Sequence, residues 1–135
     1  MAFIHREKIL FRHCDPAGIV FYPRYFEMMN DTVEAFFDQV LAFPFSKMHQ
    51  TSGIPTVEIN TTFSAPSRLG DDLEISLTCT KIGRTSLGLA HDAKCGGERR
   101  FAATSTIVFI DLEGRPKPWT DDLRSKIKAH AEGAA

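Results

Sequence analysis

Residues 22–40, YPRYFEMMNDTVEAFFDQV, decide the fold. Tyr22, Tyr25, Phe26, Met29, Val33, Phe36, Phe37 and Val40 recur at three- and four-residue steps, which lays a wide apolar stripe along a helix of about 19 residues and ~28 Å. Arg24, Glu27, Asp31, Glu34 and Asp38 take its other faces. No other stretch sustains this period for as long, so the rest of the chain has one long helix to pack against. Upstream, Phe3, Ile9 and Phe11 alternate with Ile4 and Leu10, a strand over residues 3–13 that should stop at Pro16. Downstream, past Pro44, Gly53 and Pro55, period-two alternation marks strands at 57–65, 73–80 and 87–95, and Phe101–Ile110 reads as a strand buried on both faces. These four strands read as a meander. Thr120, Asp121 and Asp122 then start a short amphipathic helix with Leu123, Ile127 and Ala131, a lid or surface element. Strand, long helix, four strands and short helix make an α+β arrangement in which one antiparallel sheet curls around the helix.

The 135 residues suit a single domain spanning 1–135, with no composition shift to divide it. At 43% hydrophobic and 24% charged, the chain can bury a sizeable core and is not disordered. Sixteen Lys and Arg against seventeen Asp and Glu leave a net charge of −1, which argues against nucleic acid as a partner. Cys14, Cys79 and Cys95 are odd in number and far apart, as expected in a reducing compartment rather than in a disulfide framework. The opening MAFIHREKILFRH offers neither a signal-peptide core nor a membrane span, so a cytoplasmic, soluble protein without membrane contact is expected. Eleven Phe against two Tyr and one Trp exceed what one core needs, which points to a partner or an apolar ligand.

The chemistry concentrates in the approach to the helix, Phe11-Arg12-His13-Cys14-Asp15-Pro16-Ala17-Gly18-Ile19-Val20-Phe21-Tyr22-Pro23. Pro16 biases Asp15 away from helix, Gly18 permits a sharp turn, and Pro23 stands where a first helical residue is favoured. A carboxylate is thereby held near a helix start, where unpaired N–H donors and the positive dipole end collect. Tyr22, Arg24 and Tyr25 are the candidate donors. One such donor, aimed at a carbonyl oxygen that becomes negative during acyl transfer, contributes about 3 kcal/mol. The Asp15 carboxylate can attack a reactive ester or take a proton from water. Cys14 and His13 would point to opposite faces of an extended chain, which disfavours a Cys–His nucleophile. The histidines and cysteines show no metal-ligand spacing, so no metal is expected, and His91 on an apolar strand face reads as a satisfied core or interface histidine.

Cys14-Asp-Pro-Ala-Gly-Ile-Val-Phe-Tyr-Pro23 resembles the hotdog-fold thioesterases, in particular the 4-hydroxybenzoyl-CoA thioesterase branch. Tyr25 to Phe37, Gly70-Asp71-Asp72-Leu73 and Asp111 through Gly114-Arg115-Pro116 fall in that family's order. The resemblance implies an α+β hotdog fold: an antiparallel five-stranded sheet wrapped around one long central helix, plus a short C-terminal helix. It implies an acyl-CoA thioesterase that hydrolyses an aroyl- or medium-chain acyl-CoA thioester, with no cofactor, coenzyme A being part of the substrate. Asp15 matches the family's catalytic carboxylate, nucleophile or general base, and Tyr22 the residue whose backbone N–H polarises the thioester carbonyl. The resemblance also implies a homodimer or homotetramer with active sites at the dimer interface. Where the family commonly has an acidic residue two before the Asp, this chain has His13, which on a continued strand would share a side with Asp15 and modulate its charge. Arg84-Thr85-Ser86 corresponds to the family's basic turn for CoA phosphates, with Arg68, Arg99 and Arg100 as alternatives. Glu34 is kept as an assisting residue because another hotdog branch carries its catalytic Glu on this helix. Phe21, Phe43, Phe45 and Phe63 are the candidate acyl-pocket walls. The rivals are a hotdog hydratase or dehydratase on acyl thioesters, which usually needs an acid–histidine pair, and a non-catalytic acyl-CoA binding module.

Overall fold

Alternating side chains build five long strands in the computed structural model, which describes residues 2–133. In chain order these are β1 (Phe3–Lys8), α1 (Pro23–Gln39), α2 (Phe45–Met48), β2 (Ser52–Gly53), β3 (Thr56–Phe63), β4 (Asp72–Ile82), β5 (Ser86–Cys95), β6 (Glu98–Val108), β7 (Ile110–Asp111) and α3 (Asp121–Gly133). The five-stranded antiparallel sheet has the order β1-β4-β5-β6-β3, and β2 pairs with β7 in a separate two-stranded ribbon.

The order is not the expected meander. β4, β5 and β6 do follow one another through tight turns, the second made by Gly96 and Gly97 at φ 57° and 84°. β3, however, pairs with β6, from Thr56↔Ile107 to Phe63↔Phe101, while β4 takes β1, from Phe3↔Leu77 to Lys8↔Asp72. Residues 64–71 are too long for a hairpin loop and carry the chain across the sheet instead. β1 also ends earlier than its alternation suggests. Its partner begins at Asp72, so no ladder continues beyond Lys8, and the chain closes a single 3₁₀ turn at Phe11–His13.

α1 starts with Pro23 in its first position and closes with Ala42 at φ 53°, whose neighbour Phe43 donates its N–H to the Phe37 carbonyl at 2.8 Å. Its apolar stripe serves two clusters. Val33, Phe36 and Phe37 pack with Leu77, Leu87, Leu89, Ile107, Phe109 and Trp119; Tyr25, Met28 and Met29 pack with Ile9, Val20, Leu73, Ile75, Ala93, Phe101 and Ala103. Each fully buried Phe or Leu contributes ~2 kcal/mol. Two further expectations need correction. α3 is no lid: Leu123 and Ile127 are buried in the first cluster, and the His130 ring stands edge-on to Phe36 at 4.9 Å. β6 buries only Phe101, Ala103, Ser105 and Ile107 on one face, its other face being half-buried or exposed. β3 departs most from its pattern, because α1 lies toward β1 and β4; every β3 residue except Thr61 is exposed. No helix among the described residues is long and apolar enough to cross a membrane.

Candidate active site

Asp-Pro-Ala-Gly folds into a miniature hairpin. Gly18 N–H donates to the Asp15 carbonyl at 2.9 Å, Asp15 N–H donates to the Ile19 carbonyl at 3.0 Å, and Cys14 bridges Val20. Pro16 presets the first central dihedral of the turn, and Gly18 takes φ 79° in open space, so the backbone conformation, not crowding, demands glycine. The side chain of half-buried Asp15 is held by Ala17 N–H, which donates to Oδ1 at 2.9 Å. Oδ2 has no hydrogen-bond partner among the described residues.

The returning arm delivers the start of α1. Val20 N–H donates to the Ser67 carbonyl at 2.9 Å and Phe21 N–H to the His13 carbonyl at 2.9 Å. Of the three candidate donors beyond, two are already spent: Arg24 N–H reaches the Phe21 carbonyl at 2.8 Å and Tyr25 N–H the Tyr22 carbonyl at 3.1 Å. Pro23 has no N–H. Tyr22 alone keeps an N–H with no acceptor among the described residues, at the positive end of the helix dipole.

His13 sits differently from expectation, because the strand that would have aligned it with Asp15 has ended. It lies in the 3₁₀ turn, buried, and its Nδ1 accepts the Leu10 N–H at 2.8 Å. Burial and then the Arg12 charge lower its pKa, opposed by Glu27 and Asp31. Glu34 lies on an exposed stretch of α1 with Ala35 and Asp38, ~18 Å along the helix from Tyr22.

The four phenylalanines separate into groups. Phe63 is a hub: Tyr25 stacks on it at 5.6 Å, Tyr22 and Phe26 meet it edge-on at 6.1 and 6.4 Å, and Phe21 meets Tyr22 at 5.9 Å. Phe45 lines a cavity of about 540 Å³ between α1 and the open half of the sheet, with Phe26, Met29, Val33, Ile54, Ile59 and Ile107 as its apolar walls. Phe43 belongs to a different hollow, with Phe109 and Lys117. Asn30, His91 and Ser105 supply polar groups to the large cavity, and none of the three was singled out for it by sequence reasoning. The one available signal was His91 in an inward register position of β5. It is buried but not satisfied: Nδ1 has no partner among the described residues, and burial pushes its pKa down to about 4, so the ring is neutral.

Arg84, Thr85 and Ser86 lie at the opposite end of the sheet from Asp15. Their turn closes β4 and β5, and Thr85 O accepts the Phe109 N–H at 2.8 Å, while Asp15 lies by the loop that opens β4. The 11 residues of β4 separate the two ends by ~33 Å. Among the alternatives, Arg99 is bound to Asp92 through Nε at 2.8 Å and Arg100 to Asp71 at 2.7 Å, whereas the Arg68 side chain makes no ion pair among the described residues.

Residues 9–127 match the Thioesterase-like superfamily, and the chain belongs to it. No curated protein matches the chain by sequence. A solved gentisyl-coenzyme A thioesterase is 25% identical, with 93% of this chain and 99% of that one covered at a TM-score of 0.86. A 1,4-dihydroxy-2-naphthoyl-CoA thioesterase from Synechocystis shares 19% identity, 95% and 96% coverage and a TM-score of 0.87. A hypothetical protein from Staphylococcus aureus, solved in complex with CoA, shares 16% identity, with 98% and 85% covered and a TM-score of 0.89. The fold is therefore the hotdog fold.

Proposed function

We propose that this thioesterase-superfamily member hydrolyses an acyl-CoA thioester to the free acid and CoA, with Asp15 as the catalytic carboxylate. What supports the reading is an uncommitted Asp15 oxygen on a hairpin whose returning arm leads directly into the start of α1, where Tyr22 keeps the unpaired N–H. Asp15 either attacks the thioester carbon, expelling the CoA thiolate and leaving a mixed anhydride for water to open, or removes a proton from the attacking water. In both routes the carbonyl oxygen gains negative charge, and Tyr22 N–H with the helix dipole stabilises it by about 3 kcal/mol. Among the described residues Asp15 hydrogen-bonds to no histidine, which favours hydrolysis over the acid–histidine chemistry of a hydratase.

The active site is completed by a second copy of the chain. β3 runs from its Thr56 end, beside the 84–86 turn, to its Phe63 end, beside Tyr22. Two copies joined antiparallel along β3 would therefore set the Arg84 end of one against the Asp15 end of the other, where it can meet CoA phosphates. This is the reading that reconciles the ~33 Å separation within one chain with a single ligand. The acyl group enters the cavity of about 540 Å³, a size typical of small-molecule sites. Aromatic walls from Phe26 and Phe45, with neutral His91, Ser105 and Asn30 among them, favour an aroyl group bearing a hydrogen-bonding substituent over a plain medium-length alkyl chain.

A panel of acyl-CoA thioesters with a free-thiol readout tests the proposal. Asp15→Ala should abolish thiol release and leave CoA affinity largely intact; unchanged release would remove Asp15 from the chemistry, and binding without release in the native protein would leave a binding module. Single turnover in ¹⁸O water, followed by mass analysis of the Asp15 peptide, separates the anhydride route from direct water attack.

A further inference from the structure

The hairpin that presents Asp15 is small, and its own turn does not fix where it sits in the molecule. That placement comes from residues 66–71, which touch it on both sides. Ile9, ahead of the hairpin, donates its N–H to the Asp71 carbonyl at 2.8 Å and accepts Gly70 N–H at 2.9 Å. Val20, behind it, donates to the Ser67 carbonyl at 2.9 Å, and Ile19 bridges Arg68. This connection crosses the end of the sheet without ladder partners of its own, so something else must hold its shape.

One guanidinium does. Arg100 on β6 is 12% exposed, and its Nη1 lies 2.7 Å from Asp71 Oδ2, 3.0 Å from the Pro66 carbonyl and 3.1 Å from Ser67 Oγ. Asp71 Oδ2 also accepts Arg68 N–H at 2.9 Å, so one carboxylate oxygen gathers both the guanidinium and the loop backbone. Arg100 Nε is 2.8 Å from Glu98 Oε1, an ion-pair distance without the alignment of a hydrogen bond. Ser67 is fully buried. A chain of polar contacts thus runs from Arg100 through Asp71, Arg68 and Ser67 to Ile19 and Val20, and from the Ile19 carbonyl to Asp15 N–H at 3.0 Å. All three bonds come from Nη1 while Nε faces Glu98, and the rigid guanidinium fixes both directions at once, which a lysine ammonium on a flexible stem does not reproduce.

We infer that Arg100 and Asp71 form a clamp that positions the Asp15 turn against the start of α1, acting as positioning residues for the hydrolysis. The inference rests on Asp15 being the catalytic carboxylate. It assigns Arg100 to the loop rather than to CoA phosphate, because Nη1 is committed to Asp71, Pro66 and Ser67 and two carboxylates already face the guanidinium. Misplacing a reacting group by about 1 Å costs on the order of 10²-fold in rate, so loosening the clamp should lower turnover more than binding.

The test uses Arg100→Ala, Arg100→Lys and Asp71→Asn, with Asp15→Asn as a separate control. On a thioester that the native protein hydrolyses, Arg100→Ala and Asp71→Asn should lower kcat ~10–100-fold with KM changed less than about threefold, and Arg100→Lys should recover part of the loss. Amide exchange followed by NMR gives a readout that needs no substrate: Val20 N–H should exchange faster in these variants, while central β5 and β6 amides stay unchanged. If Asp15→Asn is inactive but both clamp variants keep native kcat, or if Val20 exchange stays native in them, the clamp is overturned. If Asp15→Asn keeps native activity, the catalytic reading fails, and the exchange data still decide whether the clamp holds the hairpin. Should Arg100→Ala fail to fold, Arg100→Lys and Asp71→Asn supply the same comparison.

Discussion

The two edges of the sheet are finished differently. β1 is six residues long, half-buries alternate side chains and carries Arg6 and Lys8 outward, paired with Glu74 and, at 3.6 Å, with Asp72. β3 is eight residues long, has Glu58 as its only charge, and leaves Val57, Ile59 and Phe63 at 61, 43 and 43% exposure. Short, charged edges discourage pairing with another chain, whereas long, uncharged ones promote it. The contrast puts the charged edge on the side α1 covers and the uncapped edge beside the cavity, and it supports the second copy proposed along β3.

The strongest way to break this contrast is to place the same charge on both edges. Val57→Lys on β3, at a position outside the cavity lining, should turn a native oligomer into a folded monomer by light scattering and reduce thiol release on the order of 10²-fold or more, since the proposed site would lose its other half. Native activity in a proven Val57→Lys monomer would remove the second copy from the site. Next comes acid stability. His91 lies beneath the open half of the sheet and stays neutral until about pH 4, while the unfolded chain takes up the proton near 6.5. Stability is therefore full above about 6.5 and declines as pH falls toward 4, by about 3 kcal/mol from this group. Denaturant titrations from pH 7.5 to 4 should show a smaller decline in His91→Leu than in the native protein; equal slopes would mean that this imidazole titrates normally. A smaller effect is expected from Arg84→Glu, ~10-fold in KM for acyl-CoA with kcat retained. Mixing it with inactive Asp15→Asn should regenerate native-like sites if Arg84 serves the partner's Asp15, and no recovery would confine each site to one chain. Smallest of all, Ile4→Lys on β1 should change stability by no more than about 0.5 kcal/mol and leave assembly intact.

Much of this was legible in the chain. Periodicity located α1, the five strands of the sheet and the capped start of α3, where Leu123 N–H donates to Thr120 Oγ1 at 3.2 Å. The turn chemistry of Asp15, Pro16 and Gly18 announces a sharp turn, while the hairpin that closes around it depends on the Asp15–Ile19 and Cys14–Val20 pairings. Alternation states which face a residue takes but not which strand lies beside it, so the pairing of β3 with β6 stayed hidden. The same limit applies to the site. Apart from the resemblance, Tyr22 stands level with Arg24 and Tyr25 until the Phe21 and Tyr22 carbonyls are seen to occupy the other two N–H groups, and the cavity joins Phe26, Ile59 and His91 from three separate elements. The role of Arg100 is likewise invisible locally, because its acceptors lie in the crossing loop.

That crossing also sets an order of events during synthesis. β3 leaves the ribosome before β6, the strand it must join, and at ordinary elongation rates it waits roughly 2–7 s for that partner. Until then both of its ladders are open, and its long-range closure makes it a late step in folding. The same apolar strand proposed to recruit a second subunit is thus the segment most exposed to self-association while the nascent chain is incomplete.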